Sequence, residues 1–385
     1  MRGSGRRDAG GRRPAAPGPA VAPADEYARV WDDFRGGFSV GSVGTPDAKW
    51  FYFASGPFVG DDGVAAPAGD GGLTVRARGT NPATGEPAFT RTLGQEGAAD
   101  NPDALPGGLD HVKWLVYMNH LASSGVPGFD AVAGRELAFR TGLSGACFGT
   151  AGHPFGAAVS DPGDDPRLAA AAMTTIDFDT CMVFDLFVTN RRIYAVYERL
   201  PFARSRYGNY AAFAYLIPVA TRTAGEWHAL KIAYDSAAGT VRWFVADQEV
   251  FRVTRIGRRL DRRYLTLDHG GIETDVSPGQ LDGGLGLFTL LDGCRPSHPA
   301  LVRLSNADGF YVDAGTGHVA TPGTGSFRDE QSAPGSRLFG QGAELRAQAC
   351  AVSSTRPVPS RRPQRAPRPA ARRRARASTP ASADA

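Results

Sequence analysis

The sequence predicts an all-β fold, a two-sheet antiparallel β-sandwich, and three observations carry that prediction. Residues 174 to 253 form a nearly unbroken series of apolar and polar alternations, the period of a strand with one face buried. Within this series, Gly225 to Val253 reads as a three-stranded meander, turning at Asp235 to Gly239 and again at Asp247-Gln248. Across 385 residues, 49 Gly and 28 Pro punctuate the chain far more often than long helices allow.

The elements follow in order. Trp31-Asp-Asp-Phe34 opens the domain, Gly72 to Arg78 alternates as a strand, and Glu136 to Phe139 resumes after Gly134. Leu109 to Leu121 fits both a period of two and a helical stripe, and is read as a strand. Ile176 to Val188 reads as one long strand, with Ile176, Met182, Phe184, Leu186 and Val188 on the core face. Asp177, Asp179 and Asp185 then share the opposite face. Ile193 to Arg199, Tyr210 to Val219, the meander and Gly284 to Leu291 complete the sandwich.

The domain is expected to span residues 25–350. The first 24 residues hold five Arg, one Asp and no aromatic residue, too little apolar surface to offset chain entropy. Residues 351–385 form a second expected disordered tail, with nine Arg and a single acid from position 356 onward. With these charges set aside, residues 25–355 carry a net charge of about −8, although the whole chain is at +4. Sequence-specific nucleic-acid binding by the core is therefore not expected, while the Arg-rich tails suit weak contact with anionic surfaces. Three Lys against 40 Arg is the skew of high-GC coding, such as actinobacteria show.

No apolar leader or bilayer-length run is present, so a cytoplasmic location and no membrane span are the expectation. Cys147, Cys181, Cys294 and Cys350 are far apart without a C-x-x-C pair, and His-Glu-x-x-His is missing, so neither a metal site nor a cofactor is expected. Gly37-Phe-Ser39-Val-Gly41 matches the nucleophile-elbow formula, but no helical period follows it.

Several phrases carry a resemblance. The opening Trp31-Asp-Asp-Phe34, the strand Gly71-Gly-Leu-Thr-Val-Arg76, Trp227-His-x-Leu-x-Ile-x-Tyr-Asp235 and Val241-Arg-Trp-Phe-Val245 resemble the concanavalin A-like lectin and glucanase jelly rolls over roughly residues 27–305. Tyr197-Glu-Arg-Leu-Pro-Phe202, Gly208-Asn-Tyr-Ala-Ala-Phe213 and Leu267-Asp-His-Gly-Gly271 resemble an uncharacterised actinobacterial family of such proteins. The resemblance implies a jelly roll and a glycan ligand on the concave sheet. The Glu-x-Asp-x-x-Glu strand motif of the glucan-cleaving members is missing here.

The residues themselves offer Asp177, Asp179 and Asp185, with Glu198 on the next strand, as candidate catalytic carboxylates. Neighbours two apart on a strand sit roughly 6.5–7 Å apart, a spacing that suits a pair flanking a glycosidic bond. Trp114, Tyr197, Tyr207 and Tyr215 are candidate stacking surfaces, and the loop residues His153 and His269 are candidate ligand contacts. On these grounds Asp179→Asn is expected to abolish binding. The functional readings are a glycan-binding protein with glycoside-cleaving activity in reach, a secondary-metabolism enzyme using the same groove for an apolar small molecule, and a non-catalytic interaction module.

Overall fold

The computed structural model describes residues 26–357 apart from 56–57, 69–70, 81–84, 86, 90–110, 295–299, 305–309, 313–326 and 330–336. The expected disorder of residues 1–24 and of the chain beyond 357 falls outside the described residues.

Two antiparallel sheets are stacked face to face. In chain order their strands begin with β1 (Tyr27–Asp32), β2 (Trp50–Tyr52), β3 (Gly63–Pro67), β4 (Leu73–Ala77), β5 (Val112–Met118), β6 (Phe129–Asp130) and β7 (Glu136–Phe148). Next come β8 (Ala170–Asp177), β9 (Met182–Val188), β10 (Arg192–Arg199), β11 (Phe213–Thr221), β12 (Trp227–Asp235), β13 (Thr240–Val245) and β14 (Gln248–Val253). The last are β15 (Leu265–Asp268), β16 (Gln280–Phe288) and β17 (Gly342–Thr355). The first sheet runs β14-β13-β12-β7-β17-β4-β3, with β1 also paired to β17. The second runs β15-β11-β10-β9-β8-β16-β5-β2, with β6 on β16.

Alternation decides what each sheet buries. Phe139, Leu230, Ile232, Tyr234 and Trp243 of the first sheet meet Phe184, Leu186, Val188, Ile193, Tyr197, Phe213 and Leu285 of the second in one apolar layer. Trp243 ties the layers together: its indole nitrogen donates to the Asp185 carbonyl across the gap, at 2.9 Å, and its ring meets Phe184 edge-on. The ambiguous stretch 109–121 is strand β5, with Trp114, Val116 and Met118 in this core.

Two boundaries differ from expectation. Residues 351–355, assigned to the tail, belong to β17, where Val352 and Ser354 are buried and paired with β7 and β1. The supposed single strand Ile176 to Val188 is a hairpin, β8–β9, turning through Phe178 to Cys181, with Cys181 at φ 59°. Because Ile176 pairs with Val183 and Asp177 with Met182, the turn reverses the phase of the alternation. Ile176 therefore faces away from the core that receives Met182, Phe184 and Leu186.

The three-stranded meander forms as expected, with its second turn one residue earlier, at Ala246-Asp247 instead of Asp247-Gln248, because Gln248 already pairs with Val245. The β13–β14 turn is formed by Ala246 and Asp247, both left-handed at φ 49° and 62°, a two-residue geometry that Gly or Asn adopts at less cost than Ala. Ala246→Gly is therefore expected to raise stability by about 0.5–1 kcal/mol in urea denaturation. An unchanged or lower midpoint contradicts this reading of the turn.

Candidate functional site

The second sheet has two faces, and the outer one carries a second apolar layer formed by Leu115, Tyr117, Ile176, Val183, Phe187, Val196, Leu216 and Phe288. Strand register lays these residues in rows. One row crosses the sheet as Leu216, Val196, Asp185, Thr174, Gly284, Tyr117 and Phe51, where Asp185 and Thr174 face each other across a gap in the β8–β9 ladder. The row beside it reads Ala214, Glu198, Val183, Ile176 and Asp282. Three carboxylates thus stand on a largely apolar sheet face.

Loops close over this face to make a pocket of about 110 Å³, walled by Phe53, Leu115, Tyr117, Ile176, Val183, Phe187, Phe202, Phe288 and Phe310 and reached by Asp185, Glu198, His111 and His269. Bare backbone makes room for part of the wall. A Cβ on Gly286 would overlap the Phe288 ring, and one on Gly284 would overlap the Val116 carbonyl oxygen.

The carboxylates differ in their surroundings. Asp185 is buried, and one of its oxygens accepts the Thr175 backbone N–H at 2.8 Å, where the ladder lacks a backbone pair. Burial raises its pKa well above the usual carboxylate range, the Thr175 bond opposes this, and the nearby Glu198 adds to it. Asp282 is also pushed well up by burial, against the Gly283 and Met118 N–H groups. Its second oxygen has no hydrogen-bond partner among the described residues. Tyr117 rises for the same reason, with Asp185 and Asp282 adding to the effect.

Glu198 is half-buried and accepts no hydrogen bond among the described residues. Burial raises it to about 7, with His111 pulling it down and Asp292 pushing it up. His111 is ion-paired through Nε2 to Asp292, which also accepts the Tyr311 hydroxyl at 2.7 Å. Burial works against the Asp292 carboxylate, yet the His111 charge and these two bonds outweigh it and hold the group below its usual range. His269 is buried, and that burial pushes its pKa below the usual imidazole value. With Nδ1 placed as the donor to the Phe310 carbonyl, Nε2 is left as the acceptor of the ring.

The structure therefore brings Asp185, Glu198 and His269 together and places the other expected residues elsewhere. Asp177 is fully buried in its own hairpin, accepting from the Asp179 and Thr180 backbone, the Thr180 hydroxyl and the Gln280 amide. Asp179 lies on the turn, paired with Arg206 and with the Tyr207 hydroxyl at 2.7 Å. Trp114, Tyr197 and Tyr215 point into the inter-sheet core, because they sit on the inward phase of their strands. There the Tyr197 and Tyr215 hydroxyls anchor the loop at Gly257, Arg258 and Leu260. His153 serves its own turn, accepting the Phe155 N–H at 3.2 Å.

Tyr117, Asp282 and Asp292 escaped the sequence reading. Tyr117 and Asp282 were within reach of it, since both occupy the outward phase of their strands. Asp292 lies in the loop after β16, with no periodicity to mark it. Among the described residues, no cluster of three or more His, Cys, Asp or Glu is arranged to hold a metal ion, and no helix is long and apolar enough to cross a membrane.

These features define a jelly-roll β-sandwich with a ligand-sized pocket on the outer face of one sheet. The chain belongs to DUF6081, a family of unknown function whose sequence model matches residues 31–356. Uncharacterized protein L829 of Acanthamoeba polyphaga mimivirus is 31% identical over 250 residues, covering 50% of this chain and 56% of the viral protein. The chain thus spans little more than half of that relative, and the relative is viral rather than actinobacterial.

Among solved structures, a sialidase matches at 11% identity and TM-score 0.35, over 85% of this chain but 18% of its own. Bacillus licheniformis beta-glucanase matches at 8% and 0.34, over 86% and 98%. A family 7 alginate lyase matches at 10% and 0.35, over 76% and 82%. None of these likenesses bears on the chemistry of the pocket.

Proposed function

We propose that this protein binds a compact, largely apolar small molecule in the pocket on the outer face of its second sheet, and that Glu198 holds the ligand's polar group. The observation that carries this reading is the position of Glu198: a half-buried carboxyl with no hydrogen bond among the described residues, in a wall of Leu, Ile, Val and Phe side chains. Apolar walls around a carboxyl weaken its hydration, so a ligand that brings a hydrogen-bond donor to it gains more than the same contact in water. The dimensions suit a ligand of about one ring, given that a dry cavity of about 150 Å³ accepts benzene. A carboxyl titrating at about 7 beside the His111–Asp292 pair also meets the requirement for general acid–base catalysis near neutral pH.

A glycan is the second reading, and one observation favours it. Asp185 and Glu198 are diagonal neighbours on adjacent strands, about 7–8 Å apart by sheet geometry, within the range for a carboxylate pair across a glycosidic bond. The wall argues the other way, because a sugar presents many hydroxyls and this pocket offers few partners.

Val183→Trp separates the pocket from every other surface, since Val183 lies between Asp185, Ile176 and Glu198 on the pocket floor. The expected result is loss of binding by at least tenfold for a ligand found by calorimetric screening of aromatic fragments and oligosaccharides, with the native circular dichroism retained. Undiminished affinity in this variant removes the pocket as the site, and oligosaccharide binding without fragment binding selects the second reading.

A further inference from the structure

Resting on the proposed site, we infer that its ligands are small primary amines carrying an apolar ring or chain, bound as the ammonium with the charge on Glu198 and the apolar part among the phenylalanine rings. Two features of the pocket lead there. All of its formally acidic or basic lining groups are acids or histidines, and neither Arg nor Lys is among its described lining residues, so the described lining offers a carboxylate or phosphate ligand no guanidinium or lysine ammonium. Its acids are also under-used as acceptors. Asp185 is 4% exposed and makes only the Thr175 bond, while Glu198 makes none among the described residues.

An ammonium group brings three donors and a positive charge to this deficit, and the faces of Phe53, Phe187, Phe202 and Phe288 suit the carbons next to the charge. A neutral alcohol of the same shape brings one donor and no charge.

Charge balance makes the inference testable through pH. The groups that face Glu198 are Asp185 from the neighbouring strand, Tyr117 from β5, His269 from the end of β15, and His111 with Asp292 from the loops. Burial raises the pKa values of Asp185 and Tyr117 and lowers that of His269, and His111 is paired with Asp292. Burial lifts the Glu198 carboxyl to about 7, so its ionisation changes across neutrality. Ammonium binding favours its ionised form and releases its proton to buffer.

Titration calorimetry of the full chain with benzylamine and with benzyl alcohol, at pH 6 and pH 8, reads this directly. The expected result is at least tenfold tighter binding of benzylamine than of benzyl alcohol at pH 8. Benzylamine affinity is expected to rise roughly tenfold between pH 6 and 8, while the alcohol's stays flat. Glu198→Gln is expected to remove both the preference and the slope. Equal affinity of the wild-type protein for the two compounds, or benzylamine binding without a pH slope, overturns the amine assignment and leaves the apolar pocket standing. Failure of both compounds to bind overturns the amine assignment and the pocket together. The wild-type comparison decides the matter even where the variant does not fold.

Discussion

Asp177→Ala is expected to lower the unfolding free energy by about 4 kcal/mol. The side chain is fully buried and receives two backbone N–H groups, the Thr180 hydroxyl at 2.5 Å and the Gln280 amide. Truncation strands these donors where water does not reach them, and each stranded group costs about 1–3 kcal/mol. The loss falls on the β8–β9 hairpin and on its junction with β16, so refolding yield is expected to drop as well. Asp179→Asn, two residues away, is expected to do little, because its partners Arg206 and Tyr207 lie on the exposed surface. It is also expected to leave ligand affinity unchanged, the reverse of the sequence-based expectation. Chemical denaturation of the two variants checks the contrast, and a loss below about 1 kcal/mol for Asp177→Ala contradicts the role given to that carboxylate.

Glu198→Gln is expected to be more stable than the wild-type protein at pH 8, by about 2 kcal/mol, and equal to it near pH 4. Burial lifts the Glu198 carboxyl from 4.5 in the unfolded chain to about 7 in the folded one. The folded state therefore holds this proton more tightly. The stability it contributes is complete below about 4.5 and is lost as pH rises through about 7. Gln resembles the protonated carboxyl and escapes that loss. Full conversion of the shift gives about 3 kcal/mol, and contact of the carboxyl with the pocket opening reduces it. Asp185 and Asp282 titrate in the same direction and leave a residual slope in the variant. Unfolding free energies measured from pH 4 to 8 that run parallel for the two proteins contradict the buried setting assigned to Glu198.

Much of the sandwich was legible in the sequence, because a sheet face buried on one side imposes a period of two that survives without knowledge of neighbours. Strands β10 to β14 follow from that period alone. The hairpin at Ile176 to Val188 shows where such reasoning fails. Phe178, Asp179, Thr180 and Cys181 continue the alternation through the turn, so nothing in the pattern marks the break, and the pairing of Ile176 with Val183 inverts the phase. That inversion separates Asp177 from Asp185, which a single strand would have kept on one face. Glu198 was readable because β10 is uninterrupted and its outward phase is plain. The His111–Asp292 pair was not, since its members lie 181 residues apart and meet only when the loops close over the sheet. Trp114, Tyr197 and Tyr215 were misplaced for a related reason: an aromatic residue suits a stacking surface and an inter-sheet layer equally well, and only the phase of its strand decides between them.

The claim on which the functional account rests is that ligands enter between the outer face of the second sheet and its covering loops. Methyl-resolved NMR of the full chain, titrated with benzylamine, tests it most directly. Shifts are expected to concentrate on Leu115, Ile176, Val183 and Leu267, with the core methyls of Leu230, Ile232 and Leu345 unmoved. Saturable shifts centred on any other surface, with those four methyls unperturbed, would contradict it.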